Sequence, residues 1–178
     1  MCCVLLGISS VLARRQENYH PTGYRGFAEV GGVINMGSTF DHPYVMATTT
    51  HGYQIAPWIF VGGGMGFVVC LDRDFVDAIG ENSYSFVPLY GALRFNFKQK
   101  RVSPLADIKM GYAFNNVDDG GIYGQFAFGA TYAVREEYSI YVSGGYQFIN
   151  AWLPYDTHVW MDGECRARGF AITFGIEF

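Results

Sequence analysis

The sequence predicts an all-β protein, an eight-stranded antiparallel up-and-down barrel, and three observations support this prediction. Large apolar residues alternate with small or polar ones, as in GFAITFGIEF at residues 169–178, which is the period of a strand. Convincing helical periodicity is missing from the sequence, and the stretches between the predicted strands alternate strictly between short and long. A chain of 178 residues is enough for one closed sheet, so no second domain is needed.

Eight segments carry the strand pattern and are bounded by polar or glycine-containing stretches. They are residues 24–36, 47–55, 59–71, 85–97, 104–115, 122–134, 138–148 and 166–178. The short connections are residues 56–58, 98–103 and 135–137, and the long ones are residues 37–46, 72–84, 116–121 and 149–165. This alternation places the tight turns and both chain ends at one end of the barrel.

The two faces of the strands indicate the surroundings of the barrel. In the fifth strand, for example, Ile108 and Met110 lie opposite Asp107 and Lys109. The polar face is mostly Gly, Ala, Ser and Thr, which suits a narrow interior better than a wall in water. The chain is 50% hydrophobic and only 16% charged, against roughly 25% in soluble domains. We therefore expect the aromatic face to contact lipid, with a soluble lipid-binding barrel as the alternative.

Composition excludes other classes of protein. After residue 13 no apolar run approaches the roughly 20 residues of a membrane helix. A net charge of −4, with no basic cluster beyond KQKR at 98–101, argues against nucleic acid as a partner. Residues 1–13, MCCVLLGISSVLA, have the apolar core of a secretory signal peptide. We expect residues 14–23 to form an N-terminal periplasmic segment and residues 24–178 the barrel.

Three stretches, GYQIAPWIFVGGGMGF, SPLADIKMGYAF and GFAITFGIEF, carry a family resemblance. They resemble the small outer-membrane β-barrels of Gram-negative bacteria, of the outer membrane protein A and X type. The resemblance implies a monomeric transmembrane barrel in the cell outer membrane, with short periplasmic turns and longer extracellular loops. It also implies contact with outer-membrane lipid and lipopolysaccharide, and a C-terminal signal for the barrel-assembly machinery. The residues that match this signal are Phe170, Phe174, Ile176 and Phe178.

Charged residues also fall on the predicted inward face. They are Glu29, Arg94, Asp107, Lys109 and Glu177. Because a buried charge is costly unless it is paired, we expect these side chains to form a hydrogen-bonded network that fills the barrel. The alternative is a narrow water or ion path gated by the same pairs, since eight strands leave an interior only wide enough for side chains.

The remaining motifs give little support to catalysis or to a cofactor. The run GGGMG at 62–66 lacks the Lys-Ser/Thr of a phosphate loop, and the histidines and acidic residues lack metal-ligand spacing. His158 with Ser83 or Ser85 leaves a lipid-modifying enzyme as an alternative. We expect no catalytic residue, no cofactor and no metal site.

The last long connection, INAWLPYDTHVWMDGEC at 149–165, is the best candidate for surface recognition. Trp152, Tyr155 and Trp160 are costly to expose to water, so they either pack on the barrel rim or form a patch for a partner. Cys70 and Cys165 are expected near the outer ends of their strands, where an oxidising compartment permits a disulfide.

Overall fold

The computed structural model describes residues 21–36, 43–70, 85–98, 100–115, 120–135, 138–152 and 164–178. Eight strands account for most of these residues. They are β1 (Gly23–Asn35), β2 (Tyr44–Ala56), β3 (Ile59–Cys70), β4 (Ser85–Asn96), β5 (Val102–Asn115), β6 (Gly121–Ala133), β7 (Ser139–Trp152) and β8 (Glu164–Glu177). Within the described ranges we find no helix with the length and apolarity needed to cross a membrane.

The strands form a closed antiparallel barrel in chain order, with β1 paired to β8. The stagger of the barrel follows from the register. From Val33, a line through directly paired residues passes first to β8 and then once around the barrel. It returns to β1 at Gly23, ten residues before Val33. With eight strands about 4.8 Å apart and about 3.3 Å per residue, this stagger corresponds to a strand tilt of roughly 40°.

The outer wall of the barrel is apolar on every strand. The period-two pattern predicts this face correctly, because Val30, Leu89, Met110 and Phe174 all point outward and are at least half exposed. Phe128 reaches an exposure of 70%. Soluble monomers rarely expose a contiguous apolar patch above a few hundred Å², so this belt of side chains requires an apolar environment.

The interior contains more large side chains than the sequence pattern predicts. Besides the expected small and charged residues, several aromatic rings point inward and are buried. They are Phe27, Tyr44, Phe60, Phe86, Tyr90, Tyr123 and Tyr141. Inward glycines make room for these rings: a Cβ at Gly62 would lie 2.6 Å from the Phe60 ring, and one at Gly64 would lie 2.8 Å from the Tyr90 ring. The GGGMG run is therefore part of the packing of β3.

The strand bounds differ from the prediction mainly at the long-loop end. We predicted that the second strand begins at residue 47 and that the seventh ends at residue 148, but β2 begins at Tyr44 and β7 continues to Trp152. Tyr44 pairs with Val33, and Trp152 pairs with Glu164. The prediction that Trp152 lies in a loop was therefore wrong, because its backbone belongs to β7. Ladder pairing with a neighbouring strand extends these strands beyond the point where the local pattern fades.

The last residue completes the seam between β1 and β8. The backbone N–H of Phe178 donates to the carbonyl of Gly26 at 2.9 Å, and the N–H of Gly26 donates to an oxygen of Phe178 at 2.7 Å. The Phe178 ring lies over Gly26 on the outer wall, where a Cβ at residue 26 would come within 2.5 Å of it. The terminal residue is thus part of barrel closure.

Candidate functional site in the barrel interior

A cluster of charged side chains lies at mid-height inside the barrel, and the carboxylate of Glu29 is its centre. One oxygen, Oε1, accepts hydrogen bonds from Arg94 at 3.0 Å and from the Tyr141 hydroxyl at 2.5 Å. The other oxygen, Oε2, accepts from the Thr48 hydroxyl at 2.6 Å and from Lys109. Four donors around one buried carboxylate replace the water that burial removes, so the ionised form of Glu29 is well solvated by the protein.

Arg94 links the two acids of the cluster. Its Nη2 donates to Glu29 at 3.0 Å and to Asp107 at 2.7 Å. The guanidinium lies between two aromatic rings, 4.1 Å from the centroid of Phe27 and 4.1 Å from the centroid of Tyr141. A desolvated cation over an aromatic face is stabilised by about 2 kcal/mol, so the rings hold the charge as well as filling the barrel.

Lys109 completes the charge balance of the cluster. Its Nζ pairs with Glu29 and lies 3.9 Å from Asp107 and 5.4 Å from the centroid of the Tyr90 ring. The four side chains carry two positive and two negative charges. A buried group of charges requires this neutrality, because each uncompensated ion costs several kcal/mol in a low-dielectric interior.

The register positions the charged residues of the cluster on three strands, β1, β4 and β5. Arg94 on β4 and Asp107 on β5 are direct cross-strand partners, and Glu29 on β1 faces Thr48 on β2 in the same way. Lys109 follows Asp107 by two residues, so both side chains of β5 point inward. The barrel curvature then brings the long side chains of Arg94 and Lys109 across the interior to Glu29.

A second pair lies nearer the end with the tight turns. Arg25 Nε is 3.8 Å from Glu177 Oε1, and both side chains are buried. The structure therefore brings together four of the five charged residues predicted for the interior and places Glu177 beside Arg25, below the main cluster.

Sequence reasoning missed several members of these networks. Arg25, Thr48 and Tyr141 share the inward parity of Glu29 and its paired neighbours, and this parity was the signal that could have identified them. Thr48 meets Glu29 across the β1–β2 pairing. The contacts of Arg25 with Glu177 and of Tyr141 with Glu29 depend on barrel closure, which brings β7 and β8 to β1. A pattern read along single strands contains no information about which side chains meet across the interior.

The comparisons with known proteins support the fold. No protein-family model matches the sequence, and no curated protein matches it. Among solved structures, the crystal structure of Neisserial surface protein A matches with a TM-score of 0.63 at 12% sequence identity, covering 88% of this chain and 97% of that chain. The chain has the fold of the small eight-stranded outer-membrane β-barrels. The fold class and the resemblance predicted from the sequence are thereby confirmed.

The other predicted site residues lie on the outer wall, at a strand end or outside the described residues. The four assembly-signal residues, Phe170, Phe174, Ile176 and Phe178, all have exposed side chains on the outer wall. Of the predicted recognition patch, the backbone of Trp152 belongs to β7, while Tyr155 and Trp160 lie outside the described residues. The signal peptide, His158, Ser83 and the side chains of Cys70 and Cys165 also lie outside them.

The described part of the chain holds no group of three or more His, Cys, Asp or Glu residues arranged to bind a metal ion. The interior cluster joins strands from opposite sides of the barrel through ionic hydrogen bonds.

Proposed function

We propose that this chain is an outer-membrane β-barrel protein whose interior is closed by the charged cluster and whose role is structural or recognitive at the cell surface. The observation that carries the proposal is the division between the two faces of its strands. Apolar side chains cover the outer wall, and the buried charges lie inside. A barrel in water would have the opposite arrangement, and a bilayer accepts this one because closure pairs the backbone groups of the sheet.

Aromatic side chains near the tight turns support membrane insertion. Trp58, Phe97 and Tyr138 are all more than half exposed beside the turns that follow β2, β4 and β6. Tyr and Trp prefer the interface between lipid and water, and outer-membrane barrels carry aromatic girdles at this level. The tight turns would then face the periplasm, and the longer connections would face the outside.

The geometry of Glu29, Arg94 and Lys109 supports the proposal of a closed interior. Their side chains are at most 3% exposed, and Glu29 forms ion pairs with both Arg94 and Lys109. An open path would require these ion pairs to separate in a low-dielectric environment. We therefore expect a barrel that passes no solute under resting conditions.

The experiment that tests this function uses fractionated cells and purified protein. Unboiled protein from the outer-membrane fraction should migrate differently from boiled protein in gel electrophoresis, and reconstituted protein should give no conductance above that of bare planar bilayers. Soluble protein without a mobility shift would contradict the membrane barrel. Stable single-channel steps would instead support the alternative of a narrow ion path.

The recognition role rests on the loops and is a proposal about residues at the extracellular end. Replacement of Trp152 and Trp160 by alanine should abolish surface binding and leave the heat-dependent mobility shift intact. Loss of barrel assembly in the same variant would indicate packing on the rim instead. Binding that survives in an assembled variant would exclude these residues as the recognition patch.

A further inference from the structure

The outer wall carries an open groove that begins near the tight turns. Its volume is about 820 Å³, and its lining is almost entirely apolar. Two rows of directly paired residues border it: the lower row runs from Val102 on β5 to Ala28 on β1, and the upper row from Ala130 on β6 to Ala47 on β2. The residues between the rows, such as Thr131, point into the barrel, so strand backbone forms the floor of the groove.

The groove rises from the tight turns towards mid-height of the barrel. A line of paired residues that passes from β1 through β8 to β5 descends towards these turns, by about 3 Å per strand at a tilt of roughly 40°. The lower row crosses from β5 to β1, so Ala28 lies about 12 Å above Val102. This rise is close to half of an apolar band about 25 Å tall, which is the depth of one lipid leaflet.

The basic run KQKR at 98–101 lies at the lower end of this groove. Arg101 immediately precedes Val102, and its carbonyl accepts a hydrogen bond from the N–H of Ala133 at 2.8 Å, which joins the turn to β6. The guanidinium of Arg101 lies 5.1 Å from the centroid of the Tyr132 ring. Because Tyr132 lines the groove, the cation stands at the mouth of the groove.

The Arg101 side chain is available to a ligand. It is exposed, and among the described residues it forms no ion pair and no side-chain hydrogen bond. The Tyr132 ring holds the guanidinium by a cation–π contact and leaves its N–H groups able to donate. A guanidinium binds a phosphate through two parallel N–H donors, and such charged hydrogen bonds are stronger than neutral ones.

We propose that Arg101 and this groove form a binding site for one glycerophospholipid of the leaflet at the tight-turn end. Arg101 binds the phosphate of the headgroup, and an acyl chain lies in the groove between the two rows. The inference rests on the proposed membrane insertion, because a bilayer presents a phosphate at the height of Arg101 and a hydrocarbon chain along the groove above it.

The site differs from the general contact of the outer wall with lipid. Large exposed side chains elsewhere on the wall contact any hydrocarbon chain, whereas here the phosphate contact fixes one end of the lipid. Three exposed or half-exposed alanines, Ala28, Ala47 and Ala130, let the chain approach the strand backbone. The site therefore selects a lipid that has a phosphate over an uncharged lipid with the same chains.

The first test titrates the full chain in detergent micelles with dioleoylphosphatidylglycerol and counts the bound lipid by native mass spectrometry. We expect one preferred lipid, and binding at least roughly fivefold weaker for Arg101→Gln, which removes the phosphate contact. Ala130→Phe, which fills the groove, and dioleoylglycerol, which lacks the phosphate, should give losses of similar size.

Matched controls separate this site from general effects of charge and bulk. Lys98→Gln removes a cation from the same turn, but beside β4, and Gly91→Phe adds a ring to the exposed wall of β4 outside the groove, where a Cβ has no atom closer than 3.9 Å. Both controls should bind the lipid as the wild type does. Equal losses in variants and controls, or equal binding of the two lipids, would overturn the proposal.

The second test locates the acyl chain in vesicles with a phosphatidylglycerol that carries a diazirine on one chain. After irradiation, cross-linked peptides should come mainly from β6, β7 and β8 and less from β3 and β4, and Arg101→Gln should remove this difference. An even distribution around the wild-type barrel would mean that only bulk lipid surrounds it, and would overturn the site. The heat-dependent mobility shift is recorded in parallel, so a chain that fails to form the membrane barrel is distinguished from an inserted barrel without a lipid site.

Discussion

At the scale of single residues, Glu29 determines how the interior is stabilised. Its carboxylate accepts hydrogen bonds from four side chains on four different strands, β2, β4, β5 and β7. Glu29 itself lies on β1, so one residue connects five of the eight strands. A buried ion cluster of this kind is a weak source of net stability, but removal of one member leaves the others uncompensated.

We expect Glu29→Gln to lower the free energy of unfolding by about 3–5 kcal/mol. The two buried cations, Arg94 and Lys109, would then share a single carboxylate, that of Asp107, and the cluster would carry an uncompensated positive charge. Equilibrium unfolding in urea from lipid vesicles measures this change. The matched control is Thr48→Val, which removes one neutral donor to the same carboxylate and should cost about 1–2 kcal/mol. Equal losses in the two variants would contradict a role for charge balance.

The glycines provide a second residue-scale prediction. Gly145 points inward, and a Cβ there would overlap the carbonyl oxygen of Phe126 and approach Cα of Ala127 at 2.5 Å. Gly145→Ala should therefore reduce the refolding yield severalfold, since backbone cannot move aside as a flexible side chain does. Gly32→Ala is the control: its Cβ would have no atom closer than 3.9 Å. Refolding into micelles, followed by the mobility shift, measures both, and equal yields would refute the steric argument.

At the scale of strands, the sequence predicts which residues face outward but not where every strand ends. Val30, Leu89 and Met110 follow the period-two pattern because one environment covers the whole outer wall. Strand ends depend on pairing: Tyr44 belongs to β2 because Val33 lies opposite it. The interior was predicted least completely, because Tyr141 reaches Glu29 from a residue 112 positions away in the chain. Such contacts exist only after the barrel closes.

The last strand yields a prediction about biogenesis. If Phe178 is part of an assembly signal, Phe178→Ala should lower the amount of barrel in the outer membrane of cells severalfold. Its backbone bonds to Gly26 do not depend on the ring, so refolding from urea into detergent should still succeed. The control is Phe128→Ala, another exposed aromatic on the outer wall but outside the last strand. An equal loss in cells for both variants would contradict a specific signal.

At the scale of the whole molecule, charged side chains face the inside of the barrel and large apolar side chains face the outside. Among the residues that the structure describes, six buried charged side chains lie inside the barrel, three positive and three negative: Arg25, Glu29, Arg94, Asp107, Lys109 and Glu177. In the proposed membrane insertion, the outer wall contacts a medium that changes with height, from hydrocarbon at mid-height to the aqueous interface at the turns. The cost of placing a charge on this wall must therefore vary along a strand, which a soluble barrel would not show.

We expect this dependence on depth to be measurable with two arginine substitutions. Phe128 lies five residues from the end of β6, roughly 12 Å above the tight turns at the estimated tilt, and Phe128→Arg should cost about 2–4 kcal/mol of folding free energy in vesicles. Tyr138 lies beside the turn that precedes β7, and Tyr138→Arg should cost about 0–1 kcal/mol, because the arginine reaches the interface. Equal costs at the two heights would mean that lipid does not surround this wall, since a uniform solvent provides no reason for the difference.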